Sequence, residues 1–298
     1  MKNKLSTRSF TNRNPQPSQV SGRPKQNRFK AMADDAASNS TNLHIVLVHG
    51  ACHGAWSWHK LTTLLRSAGH RVAALDLAAS GIDERRFVDI RSFTDYNRPL
   101  LDFLESLPSG ERAVLVGHSL GGINISFAMD KFPAKVAVGV FITAFMPDSD
   151  HPPGHVYKRH NLDDPSNPFW LDTQFGSVRN EENGPVSMLF GPNMMANFYD
   201  HSPVQDLTLA MTLLRPISMF ADELLASPPL SKSGYASTAK VYIKCEKDIG
   251  LLATYQQWMI ENNPVNEVKV IEEADHMPML STPEELSRII SEIVKTYA

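Results

Sequence analysis

The chain predicts an α/β fold: a mostly parallel sheet with flanking helices and a helical cap inserted after the sixth strand region. Three observations predict it. Short apolar runs recur at Leu43 to Val48, Val72 to Leu75, Ala113 to Val116, Val136 to Ile142, Val241 to Cys245 and Val268 to Ile271. Each is too short for a buried helix, and most are continuously apolar, as strands covered on both faces are. Amphipathic segments separate them, and strands alternating with helices argue for a parallel sheet with helices on both faces. The alternation then breaks between Pro147 and about Ser237, where Pro is frequent and Met, Phe and Trp recur without a strand-like run. An insertion between sheet strands is better read as a cap than as an independent domain.

In chain order, the segments Trp58 to Ala68, Phe93 to Leu107, Ile123 to Lys131, Leu252 to Asn262 and Glu284 to Thr296 are the expected helices. Residues 42–298 thus form one expected domain, with the cap at about 147–237. The 298 residues are 42% hydrophobic and 20% charged, ordinary for a globular protein. A net charge of −3 and a pI near 6.4 give no reason to expect nucleic acid or an anionic membrane as partner. No apolar stretch approaches the length of a spanning helix. Two cysteines, Cys52 and Cys245, cannot build a disulfide framework and fit a reducing compartment.

Residues 1–41 differ in texture. Met1 to Ala33 holds eight Lys or Arg and no Asp or Glu, with Ser, Asn, Pro and Gln between them. Without periodicity or an apolar core, this reads as a disordered basic extension. An organelle transit peptide is also basic, Ser-rich and acid-poor, and Met32 offers a later start of translation. The expected location is the cytoplasm, or the chloroplast if the extension is a transit peptide.

Chemistry enters at Val114-Leu-Val-Gly-His-Ser-Leu-Gly-Gly122. A serine, Ser119, follows a strand and precedes a helix, on a turn that only glycine at 117 and 121 lets close so tightly. Such a turn lifts the hydroxyl out of the sheet beside helix-terminal N–H groups. The pattern is short, so its weight rests on an acid and a histidine appearing later. Glu246-Lys-Asp248 follows one late strand and Glu272-Glu-Ala-Asp-His276 the next. Both lie just past strand C-termini, where open α/β sheets place their sites. Serine needs a base to take its proton, the role expected of His276. Asp248 is the expected acid that holds the imidazole in the productive tautomer. Glu246 and Asp275 are nearby alternatives, and Asp275 reads as a solvated loop carboxylate. The His-Gly turn after the first strand can present a backbone N–H opposite the serine, so the expected oxyanion donors are the N–H groups of Ala51 and Leu120. His49, His53 and His118 read as loop-shaping residues. His49 and His53 lack the glutamate and helix of a zinc pair, and no metal is expected.

The residues His49-Gly-Ala-Cys-His-Gly-Ala-Trp-Ser-Trp58, Leu75-Asp-Leu-Ala-Ala-Ser-Gly81, Gly117-His-Ser-Leu-Gly-Gly122, Phe145-Met-Pro-Asp148, Trp170-Leu-Asp-Thr-Gln-Phe175 and Ala274-Asp-His-Met-Pro-Met-Leu280 together resemble one family. It is the plant methylesterase and hydroxynitrile lyase family of α/β-hydrolases, which includes salicylate-binding methylesterases and polyneuridine aldehyde esterase. The likeness runs from Leu43 to Ala298. It implies a capped α/β-hydrolase core, no cofactor, and hydrolysis of methyl esters of small carboxylic acids through an acyl-enzyme. Salicylate, jasmonate, indole-acetate and alkaloid esters are the implied substrates.

Within that family, one lyase type carries threonine after the first motif's histidine and lysine after the catalytic histidine, and another carries asparagine at the first position. This chain has Gly50 and Met277, leaving room for an ester and no charge for departing cyanide. Ester hydrolysis is therefore expected, with a hydroxynitrile lyase or a non-catalytic small-molecule receptor as alternatives. The same resemblance puts Phe145, Trp170 and Met277 around an apolar pocket. Met188, Met194, Met195, Met211 and Met219 fit an adaptable pocket or a helix core equally. The expected partner is a small methyl ester; a homodimer is neither required nor excluded.

Overall fold

The structure, a computed structural model, describes residues 43–177 and 186–297. The expected basic extension at 1–41 lies outside the described residues. All described residues fall within a single unit, 39–298, the cap segment included.

Six strands build the central sheet: β1 (Leu43–Val48), β2 (Val72–Leu75), β3 (Arg112–Ser119), β4 (Val136–Ala144), β7 (Lys240–Cys245) and β8 (Glu267–Ile271). Their order is β2-β1-β3-β4-β7-β8, and every pairing is parallel. The apolar run of β4 is buried along its whole length, as both-face coverage demands. β3 continues past the predicted Val116 as far as Ser119, so the serine is the last residue of the strand.

The covering helices follow the predicted segments closely. α1 (His59–Ser67) buries Leu61 and Leu65, one turn apart. α2 (Phe93–Ser106) starts at Ser92, whose side chain accepts from the Asp95 N–H at 3.0 Å and satisfies an otherwise orphaned donor. α3 (Gly121–Lys131) begins two residues after Ser119, is almost wholly buried, and packs on β3 and β4. Further on come α4 (Pro192–Phe198), α5 (Val204–Leu213), α6 (Ala221–Ala226), α7 (Ala253–Asn262), α8 (Pro278–Ser281) and α9 (Pro283–Tyr297). α1 packs against α9, and α2 against α3.

Two expectations about the insertion need correction. Among the described residues, it leaves the sheet after the fourth strand and returns at β7, not after a sixth strand. It is also not purely helical: β5 (Gln174–Ser177) and β6 (Val186–Leu189) pair antiparallel, and Met188 bridges to Ile217. The strands are only four residues long, and Phe175 and Met188 alternate with Gly, Ser and Gln, so no apolar run announces them. No described helix is long and apolar enough to cross a membrane.

The strand C-termini at this sheet edge deliver Gly50 and Ala51 after β1, Ser119 at the end of β3, Thr143 at the end of β4, Asp248 after β7 and His276 after β8.

Candidate active site

Ser119 has φ +52°, the left-handed region that a non-glycine residue occupies only under constraint. The constraint is the close packing of the turn. A Cβ on Gly117 would sit 2.6 Å from the Gly121 carbonyl oxygen, and one on Gly121 would sit 2.6 Å from that of Val48. Chain passes chain where side chains cannot fit, and the serine is held above α3.

The β3–β4 register breaks at the same place. His118 pairs with Ile142 but Ser119 with Ala144, so Thr143 is an extra residue at φ +34°. A bulge re-aims the side chain it contains. Here it directs the Thr143 hydroxyl to Asp248 Oδ2, to which it donates a short hydrogen bond.

Asp248 has its acceptor sites filled from several directions. Oδ1 accepts from the Gly250 and Leu251 N–H groups, each at 2.7 Å. Oδ2 accepts from His276 Nδ1 at 2.7 Å as well as from Thr143. Asp248 and His276 are both buried. Because Nδ1 donates to a carboxylate, His276 Nε2 carries the free lone pair. Ser119, His276, Ala51 and Leu120 line one small cavity of about 30 Å³. Phe145 and Trp170 also line it.

Other expected site residues lie elsewhere. Met277 is fully buried and absent from the lining; it precedes α8, and its N–H donates to Asp275 Oδ1 at 2.8 Å. Gly50 also lies behind the cavity wall, where a Cβ would meet Ser119 Cβ at 2.9 Å and His118 Nδ1 at 3.0 Å. Its lack of a side chain therefore makes room for the Ser119 Cβ and the His118 ring. Asp275 is fully buried rather than solvated, and its Oδ2 accepts from the His201 N–H at 3.1 Å and the Ser202 hydroxyl at 2.7 Å.

Three neutral histidines brace the loops. His49 Nδ1 donates to the Gly50 carbonyl at 2.8 Å, and its Nε2 accepts from the Leu77 N–H at 3.1 Å. His53 Nδ1 donates to the Ala51 carbonyl at 2.7 Å, while Tyr199 donates its hydroxyl to His53 Nε2 at 2.8 Å. His118 Nε2 donates to the His276 carbonyl at 2.7 Å. Burial pushes His53 down to about 3, and His49 and His118 are lowered by the same cause, His118 well below its ordinary value. With both nitrogens engaged, His49 and His53 have no lone pair for a metal. Among the described residues no group of three or more His, Cys, Asp or Glu side chains is placed to hold one.

One cap segment touches several of these loops. The Phe198 ring stacks on His276 at 4.4 Å, Tyr199 holds His53, and His201 and Ser202 hold Asp275. Phe190, Phe198, Phe169, Leu251, Met188 and Met219 complete the apolar wall. The sequence named the two methionines only as candidates. The three phenylalanines and Leu251 carried no local signal, and neither did Thr143.

Residues 45–289 match the Alpha/beta hydrolase family. Methyl jasmonate esterase 1 from Vitis vinifera is 48% identical over 257 residues, 86% of this chain and 98% of that protein. Salicylic acid-binding protein 2 from Nicotiana tabacum is 45% identical over 255 residues, 85% and 98% of the two chains. The crystal structure of polyneuridine aldehyde esterase superposes with a TM-score of 0.82 at 42% identity, over 85% of this chain and all of that one.

Proposed function

The chain belongs to the alpha/beta hydrolase family, and from that premise we propose that it is a serine carboxylesterase hydrolysing methyl esters of small carboxylic acids. The observation that supports this most directly is the buried His276–Asp248 pair opening onto the cavity that Ser119 lines. The relatives' names supply the substrate class: one is a methyl jasmonate esterase, and another is a salicylic acid-binding protein.

In this reading His276 Nε2 takes the Ser119 proton as Oγ attacks the acyl carbon. Negative charge gathers on the carbonyl oxygen, which the Ala51 and Leu120 N–H groups stabilise; losing one such donor typically costs about 3–4 kcal/mol of barrier. Asp248 stabilises the imidazolium without itself taking the proton. Collapse returns that proton to the leaving oxygen, releasing methanol. Water then repeats the sequence on the acyl-enzyme, and the acid departs. The aromatic and thioether wall binds the acyl group by excluding water from it.

Ser119→Ala tests the assignment. Methanol release from a panel of methyl esters should fall by up to about 10⁶-fold with the fold intact. A variant that keeps more than a few per cent of wild-type turnover refutes Ser119 as nucleophile.

A further inference from the structure

Beside the catalytic cavity lies a second open chamber of about 370 Å³, between the Arg91 loop, Leu162–Pro165, strands β5 and β6 and the start of α6. The two linings share two residues, Met188 and Met219. The backbones of both are pinned. Met188 N–H donates to the Ile217 carbonyl at 2.7 Å, and Ile217 N–H returns to that of Met188 at 3.1 Å. Cys52 Sγ donates to the same Met188 carbonyl, and the Tyr157 hydroxyl to the Met219 carbonyl at 3.3 Å. The side chains, by contrast, are unbranched thioethers that repack easily. The partition between the chambers is thus a pair of adaptable side chains on a fixed frame. Phe220, next to Met219, is held at φ +52°, a costly conformation for an aromatic residue, with its ring between Phe93 and Tyr96.

We propose that Met188 and Met219 form an aperture through which the acyl group of the substrate extends from the catalytic cavity into the outer chamber. The inference rests on the ester-hydrolase reading and names its substrate class: methyl esters with an extended apolar acyl chain that ends in uncharged polar groups. The catalytic cavity alone, at about 30 Å³, lies far below the ~300–1,000 Å³ of small-molecule sites, and the outer chamber brings the pair into that range. The outer chamber offers apolar wall from Leu162, Phe175 and Phe220, and beyond it Ser218 and charged groups. Among the described residues those charges are the Arg91 guanidinium and the carboxylates of Asp163, Asp222 and Glu223, Asp163 being paired with the Lys158 ammonium. The remaining carboxylates, Asp222 and Glu223, outnumber the Arg91 cation, so an anionic tail is repelled, whereas hydroxyl groups can both donate and accept.

The test compares methanol release from methyl butanoate and methyl 10-hydroxydecanoate by the full-length protein, read as the ratio of kcat/KM, long over short. Ala221→Trp fills the outer chamber from the first residue of α6. Each methylene kept out of an apolar site costs about fourfold, so the ratio should fall by at least about tenfold, mainly through KM. Met219→Ile stiffens the aperture with a β-branched side chain and should lower the same ratio, which covers the case that A221W does not fold. Monomethyl decanedioate, whose tail is anionic, should be turned over more slowly than the hydroxy ester. A wild type that cleaves only the short ester, a ratio unmoved in the folded variants, or a preference for the anionic tail overturns the inference and leaves the ester reading standing. No methanol from either ester overturns both.

Discussion

Asp248→Asn isolates the acid's part in the chemistry from its part in the fold. Oδ1 is held by two backbone N–H groups at 2.7 Å, which accept no substitute for an oxygen. The amide oxygen of the variant must therefore stay on that side. Its NH₂ group then faces His276 Nδ1 and the Thr143 hydroxyl, where Oδ2 was. Thr143 can turn its hydroxyl to accept, but His276 must now accept at Nδ1 and carry its proton on Nε2. That tautomer has no base to offer Ser119. A wrong tautomer of this kind costs about 10⁴ in kcat, or about 5.5 kcal/mol of barrier. Stability should fall by about 1–3 kcal/mol, because the buried Thr143 hydroxyl proton alone loses its acceptor. Asp248→Ala, which strips these groups of their partner, should lower stability by about 1–3 kcal/mol for each buried donor left unpaired. Methanol release from pH 6 to 9 and thermal melts on both variants give the two readouts. A folded Asp248→Asn variant with more than about a tenth of wild-type kcat would refute the tautomer argument.

Three further outcomes follow from the loops around the site. Thr143→Val removes one donor to Asp248 and should cut kcat about tenfold with a loss of about 1 kcal/mol in stability; Thr143→Ser, keeping the hydroxyl, should restore most of both, and equal defects in the two would count against the hydrogen bond. Tyr199→Phe removes the hydroxyl that fixes the His53 tautomer and, through it, the Ala51 carbonyl. It should lower kcat several-fold with KM little changed, and a change confined to KM would place Tyr199 in binding instead. Acid should destabilise the protein through its buried histidines. His53, lowered by burial to about 3, stays neutral in the folded state while its unfolded counterpart protonates near 6.5. Stability is then fully present above pH 6.5 and falls as pH drops, by about 2 kcal/mol at pH 5 from His53 alone. His49 and His118 act in the same direction, so identical melting temperatures at pH 7.5 and pH 5 would contradict neutral buried histidines.

The sequence alone determined the sheet, its helices and the order Ser119, Asp248, His276. These follow from local patterns: apolar runs with the length of strands, amphipathic periods, and glycines flanking a serine. It also led to Phe145 and Trp170 through motif resemblance. What it did not decide depends on distance through space. The β5–β6 hairpin is four residues a side and alternates too weakly to read. Asp275 looked like a solvated loop carboxylate because nothing near it in sequence shows that the cap segment at His201 and Ser202 covers it. Met277 and Gly50 stand one residue from the cavity-lining His276 and Ala51, yet a single residue's turn of the backbone sends Met277 into the core and sets Gly50 against Ser119. Thr143 reaches Asp248 only because the β3–β4 register slips by one. Which residues are neighbours along the chain is local chemistry; which groups the sheet edge and cap bring within hydrogen-bond reach is settled only by packing the whole chain.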